Sequence, residues 1–475
     1  MVVLSKAMQD MAIYGASLLF TKGFALITLP IMTYFLSAQQ IGRLDLIATS
    51  AALMSLLVGV ALHESLYRYI AKFKRFDDQK RLVSVVFTLS FTISMLASGL
   101  WMVSLSAGLL ENPWIDTKQL FLIGLIVAFE GPLTICTAWI RIQNRAVLFF
   151  KMSMILLVSQ FVLLIAVLIY IPSETSVLSI GVLCTSFQFI FLWHYLDIPL
   201  TVPRVRRITA LLKYAAPLML SALVLFGLSG GERWIIGVNA SLESLGHYAV
   251  AMKFAIATGV LMQPFGMWWM PKRFQYFNQF GNETVARYSQ YGLVYLALLC
   301  VLVAWTAKAV ISLFLDPQYQ ISIFYCIGAI AVVMLKESTE IVNFGILKSK
   351  QNHWILVNNL VWTTIGLSLC WVLIDYGVLA LIFAIWLSQL GRLFSIYIKS
   401  QSLTPMPYKG HSCALLLSVS LLSILTIALD LDPISSVLFA FTQITAIVWL
   451  ANKLELAPSL FSKVRLLRPL VGRYD

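Results

Sequence analysis

The six residues Ser37-Ala38-Gln39-Gln40-Ile41-Gly42 join two long apolar segments, and Ser241-Leu242-Glu243-Ser244-Leu245-Gly246 repeats them 204 positions later. The stretch from Tyr14 to Arg75 reads as two helices around the first copy, closed by the basic run Lys72-Phe73-Lys74-Arg75. Tyr214 precedes the second copy and Pro271-Lys272-Arg273 follows it. Each copy opens a block of about six apolar segments, the pattern of a two-lobed membrane transporter built from an internal repeat.

Composition agrees. Of 475 residues, 60% are hydrophobic and 12% charged, against about 25% charge in a soluble domain. Lipid is therefore the main solvent. The net charge of +13 would suggest nucleic acid in a soluble protein. Here the basic residues fall in short clusters between apolar segments, which sets membrane orientation instead and argues against a nucleic-acid partner. Cys136, Cys184, Cys300, Cys326, Cys370 and Cys413 all lie inside apolar segments with no metal or pairing spacing, so they read as small apolar fillers. No cleavable signal peptide is evident, because the polar start through Asp10 runs directly into a full-length span.

A spanning helix needs about 20 mostly apolar residues. Fourteen segments qualify: 9–36, 43–71, 82–110, 118–139, 153–171, 176–197, 212–238, 246–270, 290–315, 321–346, 354–374, 378–398, 412–430 and 435–452. The connections on one side carry 25 basic residues and those on the other only Arg43 and Lys118. The asymmetry predicts that both termini are cytoplasmic. Trp114, Trp139, Trp193, Trp268, Trp269 and Trp354 lie near span ends and are expected to form an interfacial belt. No connection is long enough to fold as a domain. The expected organisation is an all-α integral membrane protein: a six-helix lobe over 1–211, a second over 212–399, and helices 13 and 14 with a tail over 400–475. Each lobe has an even number of spans, so the repeats run parallel.

Charge inside a bilayer is costly, about 2.5–3.5 kcal/mol even on the lenient insertion scale. Seven basic residues fall within the spans: Lys22, Arg68, Arg233, Lys253, Lys308, Lys336 and Arg392. The acids there are Glu64, Glu130, Glu232, Glu337 and Glu340. Lys22 sits about 20 Å from either end of the first span at about 1.5 Å per residue, too far to reach an interface. It either faces a water-filled lumen that takes an anion or pairs with Glu130 or Glu64. Arg68 faces the lumen or snorkels to the cytoplasmic side. Glu64 and Arg68 share a helix face and can pair, and His63 adds a group that titrates near neutrality. That trio is a structural network or a proton-coupling site. Arg233, beside Glu232, and Lys253 open the second lobe as Lys22 and Arg68 open the first. Lys336 and Glu340 are spaced to neutralise one another, with Glu337 adjacent. Lys308 and Arg392 are expected to snorkel. Glu130 precedes Gly131-Pro132, a charge beside a kink that suits a moving helix or a proton site. Seven cations against five acids leave an excess of two positive charges, which suits an anionic passenger such as pyrophosphate.

Fourteen spans in a six-plus-six-plus-two layout, with cations on helices 1, 2, 7 and 8, resemble the lipid-linked oligosaccharide flippases. These are the O-antigen and exopolysaccharide translocases of the multidrug/oligosaccharidyl-lipid/polysaccharide exporter superfamily. The local likeness lies in Ile13-Tyr14-Gly15, Leu29-Pro30-Ile31-Met32-Thr33-Tyr34-Phe35-Leu36-Ser37, Ile41-Gly42, Glu64-Ser65-Leu66-Tyr67-Arg68-Tyr69 and Leu245-Gly246-His247-Tyr248. By resemblance, Lys22, Arg68, Arg233 and Lys253 line a cavity that handles sugar and pyrophosphate. The implied passenger is an undecaprenyl-pyrophosphate-linked repeat unit, moved from the cytoplasmic to the periplasmic leaflet of a bacterial inner membrane by rocking of the two lobes. The resemblance also implies membrane lipids and a polysaccharide polymerase as partners, function as a monomer, and no cofactor. A cation-coupled drug or small-molecule exporter of the same superfamily is the alternative; it would favour an acidic chamber. A membrane enzyme is not expected, because the short outward connections leave no room for a catalytic loop and no paired-carboxylate motif lies outside the spans.

Overall fold

A computed structural model describes residues 6–70, 73–110, 113–201, 205–351 and 353–456. Every regular element among them is helical: α1 Lys6–Phe35, α2 Ala38–Gly59, α3 Leu62–Ile70, α4 Phe76–Ser106, α5 Thr117–Ile142, α6 Ala146–Tyr170, α7 Glu174–Leu196, α8 Val205–Asn239, α9 Leu242–Phe314, α10 Ser322–Val342, α11 Phe344–Lys348, α12 His353–Leu373, α13 Val378–Leu403, α14 Gly410–Leu425 and α15 Pro433–Lys453. Fourteen helical segments among the described residues are long and apolar enough to cross a membrane. Two boundaries differ from the sequence expectation. The span expected over 43–71 is broken after Gly59, with Val60 and Ala61 both left-handed, and resumes as α3. The connection over 271–289 is helical, so α9 runs on past its expected end, interrupted only by Gly281 at φ 79°.

The chain forms two compact units. The first is Met1–Val250 with Leu367–Leu381; the second is Ala251–Gly366 with Ile382–Asp475. In the first unit α5 is the central element, packed on α4, α7 and α2, while α1 pairs with α6. Its core joins Leu62 and Leu66 of α3 to Phe87, Trp139 and Phe189. Phe87 and Phe189 stack at 6.3 Å between ring centroids, and Trp193 lies 5.6 Å from Phe189. Trp139, expected at an interface, is thus a core residue. So is Trp269, which anchors a cluster with Val285, Phe344 and Met406 in the second unit. The six cysteines are buried and free.

The repeated loop closes on itself. Ser37 caps α2, its hydroxyl accepting from the Gln40 amide at 3.3 Å, while Gln40 returns a side-chain bond to the Ser37 amide. Ser241 caps α9 in the same way, accepting from the Ser244 amide at 3.0 Å. The two capped turns then cross. A Cβ on Gly42 would meet the Leu242 carbonyl and stand 2.8 Å from the Gly246 amide nitrogen; a Cβ on Gly246 would meet the Ala38 carbonyl. Equivalent positions of the repeat therefore touch reciprocally, backbone to backbone, which only side-chain-free residues permit. Beside this crossing, Glu174 at the start of α7 accepts from Arg43 at 2.6 Å and from Gln40 at 2.9 Å. One of the two basic residues expected on the outward side is thereby neutralised.

In the second unit, α14 and α15 are held to the later part of α9. The Lys308 ammonium donates to the Leu429 carbonyl, and Trp305 Nε1 donates to Gln443 Oε1 at 2.8 Å. Gln443 in turn donates to Thr426 at 2.7 Å. Lys308, expected to snorkel, is buried instead, because the chain just past the end of α14 supplies a carbonyl where α9 would otherwise face lipid.

Gly42→Ala and Gly246→Ala are each expected to lower thermal stability, overpacking costing about 1–3 kcal/mol. The double variant should cost less than the sum, since one displacement of α2 from α9 relieves both clashes. Melting temperatures of both singles and the double in one detergent test this; additive losses would mean the two glycines act separately.

Candidate functional site

The α2–α3 break sets the geometry of the first unit's interior. Val60 sits at φ 44° and Ala61 at φ 48°. Two successive non-glycine residues in the left-handed region, one of them β-branched, store strain of about 1–3 kcal/mol each. Burial of Leu62 and Leu66, both at 0% exposure, offsets it by fixing α3 against the core. The turn aims His63 and Glu64 back toward α5.

There they line a cavity of about 590 Å³, with Ser55 from α2, Glu130 and Thr134 from α5 and Ser221 from α8. The Ser55 hydroxyl donates to the Glu130 carboxylate. Thr134 donates to the Glu130 carbonyl at 2.9 Å. Pro132 removes an intrahelical donor just beyond Glu130, loosening α5 at this depth. His63 Nε2 lies 3.5 Å from Glu64 Oε1. Two carboxyls and an imidazole thus share one wall of the cavity, together with the carbonyl end of α2. Proton carriage or cation coordination are the chemistries that such a set supports.

The sequence-selected residues distribute unevenly. His63, Glu64 and Glu130 converge on this cavity. Arg68 is exposed and stacks its guanidinium 4.3 Å over the Tyr214 ring. The expected Glu64–Arg68 pair does not form, because Glu64 turns to His63 and Arg68 to α8. Glu130 accepts from Ser55. Lys22 lies on α1, but its side chain falls outside the described residues. Lys253 is exposed and belongs to the second unit.

Arg233 is not a free charge. Its Nη1 donates to Asp45 Oδ1 at 3.2 Å and to Thr49 Oγ1 at 3.1 Å. Its Nε lies 3.9 Å from Glu232, which also accepts from Tyr248 at 3.2 Å. Sequence reasoning missed Asp45, which falls just inside the second span; a lone acid in an apolar helix was the available signal. Two acidic side chains thus stand around one guanidinium, so Arg233 offers no uncompensated cation. In the second unit, Arg392 is 3% exposed and does not snorkel. It donates to Asn359 at 2.8 Å, Gln389 at 3.3 Å and Glu340 at 3.0 Å. Asn343 donates to Glu340 at 3.0 Å and accepts from the buried Arg273 at 3.1 Å. Glu340 therefore serves two arginines, one directly and one through an amide, and the expected Lys336–Glu340 pair is replaced.

Arg233→Met is expected to destabilise more than Asp45→Asn. The first leaves two buried carboxylates without a cation, while the second leaves Arg233 beside Glu232. Breaking a buried pair costs about 3–5 kcal/mol. Thermal melts in detergent measure the order; equal losses would mean that Glu232 carries no charge opposite Arg233.

The family model described as "Polysaccharide biosynthesis protein" matches residues 7–277. No curated protein sequence gives a significant match. Among solved structures, the lipid II flippase MurJ in an inward closed conformation aligns with TM-score 0.66 at 12% identity, covering 93% of this chain and 98% of that one. The MATE multidrug transporter DinF-BH aligns with TM-score 0.55 at 11% identity, covering 84% of this chain and 95% of that one. With the family model spanning more than half its length, the chain belongs to the polysaccharide biosynthesis protein family.

Proposed function

We propose that this protein is a flippase that carries an undecaprenyl-pyrophosphate-linked oligosaccharide from the cytoplasmic to the periplasmic leaflet of a bacterial inner membrane. It works by alternating access, both termini are cytoplasmic, and an ion gradient drives it; no bond is made or broken. The observation that carries this reading is a seal and a chamber on one helix. Gly42, at the crossing with α9, and Ser55, on the acid-lined cavity, are both on α2, about 20 Å apart at about 1.5 Å per residue. A helix sealed at one end and broken over a titratable cavity at the other is built to exchange two arrangements. Family membership and the fold shared with a lipid II flippase support the substrate class.

Within this reading the cations and the acids divide the work. Lys22, Arg68 and Lys253 attract the pyrophosphate, while Glu130, with Ser55, His63 and Glu64, takes up and releases the coupling ion. Arg233 ties α8 to α2 through Asp45. Polysaccharide polymerases acting on the delivered unit are the proposed partners, and the monomer is the working unit.

The acidic cavity wall favours a second reading, a cation-coupled small-molecule exporter of the same superfamily. Proteoliposomes separate the two. For the flippase, leaflet exchange of a fluorescent polyprenyl-pyrophosphate sugar should fall in Lys22→Ala and Arg68→Ala. Glu130→Gln should lose about tenfold of the gradient-driven rate while exchange without a gradient persists. Efflux of an organic cation with no lipid exchange would establish the exporter instead.

A further inference from the structure

Trp354, Val357, Asn358, Val361 and Trp362 recur at helical spacing along α12 and form one wall of a trench of about 440 Å³. Ser395, Ile398, Lys399 and Ser402 of α13 form the other. The floor is polar and satisfied. Trp362 Nε1 donates to Ser395 Oγ at 2.9 Å, Ser395 donates to Asn358 Oδ1 at 2.5 Å, and Asn358 Nδ2 reaches the Arg392 carbonyl at 3.4 Å. The rims are apolar and exposed at Val357, Val361 and Ile398. At one end the Lys399 ammonium lies 4.2 Å over the Trp354 ring. Among the described residues no carboxylate pairs with Lys399.

We propose that this trench holds one anionic phospholipid, with its phosphodiester on Lys399 and Ser402 and an acyl chain along Val357, Val361 and Ile398. Three observations lead there. The trench lies between two membrane-crossing helices, so lipid is the molecule that surrounds it. Tryptophan and lysine together at a helix end mark headgroup depth. A single uncompensated ammonium matches the single charge of a phosphodiester, whereas a pyrophosphate would call for a second cation that the trench lacks. Gly391 keeps the trench open, since a side chain there would collide with the Trp362 ring resting on it. The site is independent of the translocation reading, because none of its residues lines the cavity at the α2 break.

Native mass spectrometry of the full-length protein, released from detergent with phosphatidylglycerol or phosphatidylcholine, tests this. Retention of one phosphatidylglycerol is expected to exceed that of phosphatidylcholine. It should fall about fivefold in Lys399→Ala and further in Lys399→Glu. Lys350→Glu, a charge change at the same end but off the trench, should leave retention unchanged, and melting temperatures should confirm that each variant folds. Equal retention of the two lipids, the same loss in Lys350→Glu as in Lys399→Glu, or displacement of phosphatidylglycerol by equimolar undecaprenyl pyrophosphate would each overturn the assignment.

Discussion

The backbone crossing of Gly42 and Gly246 is the contact on which the first unit depends. Helices in lipid gain nothing from hiding apolar surface, so close approach must come from small residues and satisfied polar groups. Here both are present. Two serine-capped turns, equivalent in the repeat, present bare backbone to each other. The polar ties cluster around them: Glu174 to Arg43 and Gln40, and Arg233 to Asp45. Remove the glycines and the helices stand apart, and the neighbouring ion pairs lose the geometry that makes their burial tolerable.

Buried charge is handled by the same logic throughout. A lone ion in hydrocarbon is expensive, and this protein answers with networks instead of single pairs. Arg233 faces two carboxylates and a threonine. Arg392 uses three groups of its guanidinium on three different side chains, and Glu340 is shared onward to Arg273 through Asn343. Such arrangements contribute modest net stability, because desolvation offsets most of the attraction. Their effect is directional: each fixes which face of a helix turns inward.

The cavity at the α2 break obeys a different rule. Its groups are few and titratable, and they sit beside backbone strain at Val60 and Ala61 and a proline inside α5. Strain of this kind persists only where packing over-determines it, and the buried leucines of α3 supply that packing. A strained joint between a sealed helix and a short one that carries titratable groups is a place where a small charge change can shift a balance.

The sequence by itself determined the solvent, the helices and the repeat. Apolar runs of spanning length have one stable backbone solution in lipid, because every amide must be bonded within its own segment. The duplicated serine-to-glycine loop likewise declared its own importance. His63, Glu64 and Glu130 were legible as residues too costly to bury without a purpose. Partner choice was not legible. Whether Glu64 meets Arg68 or His63, whether Arg233 stands free or finds Asp45, and whether Arg392 reaches water or Glu340 depend on how each helix is rotated about its axis. A single strained turn at Val60-Ala61, with no proline to announce it, redirected α3. Spacing along a chain fixes which residues share a face, but only the packing of helix on helix decides what that face meets.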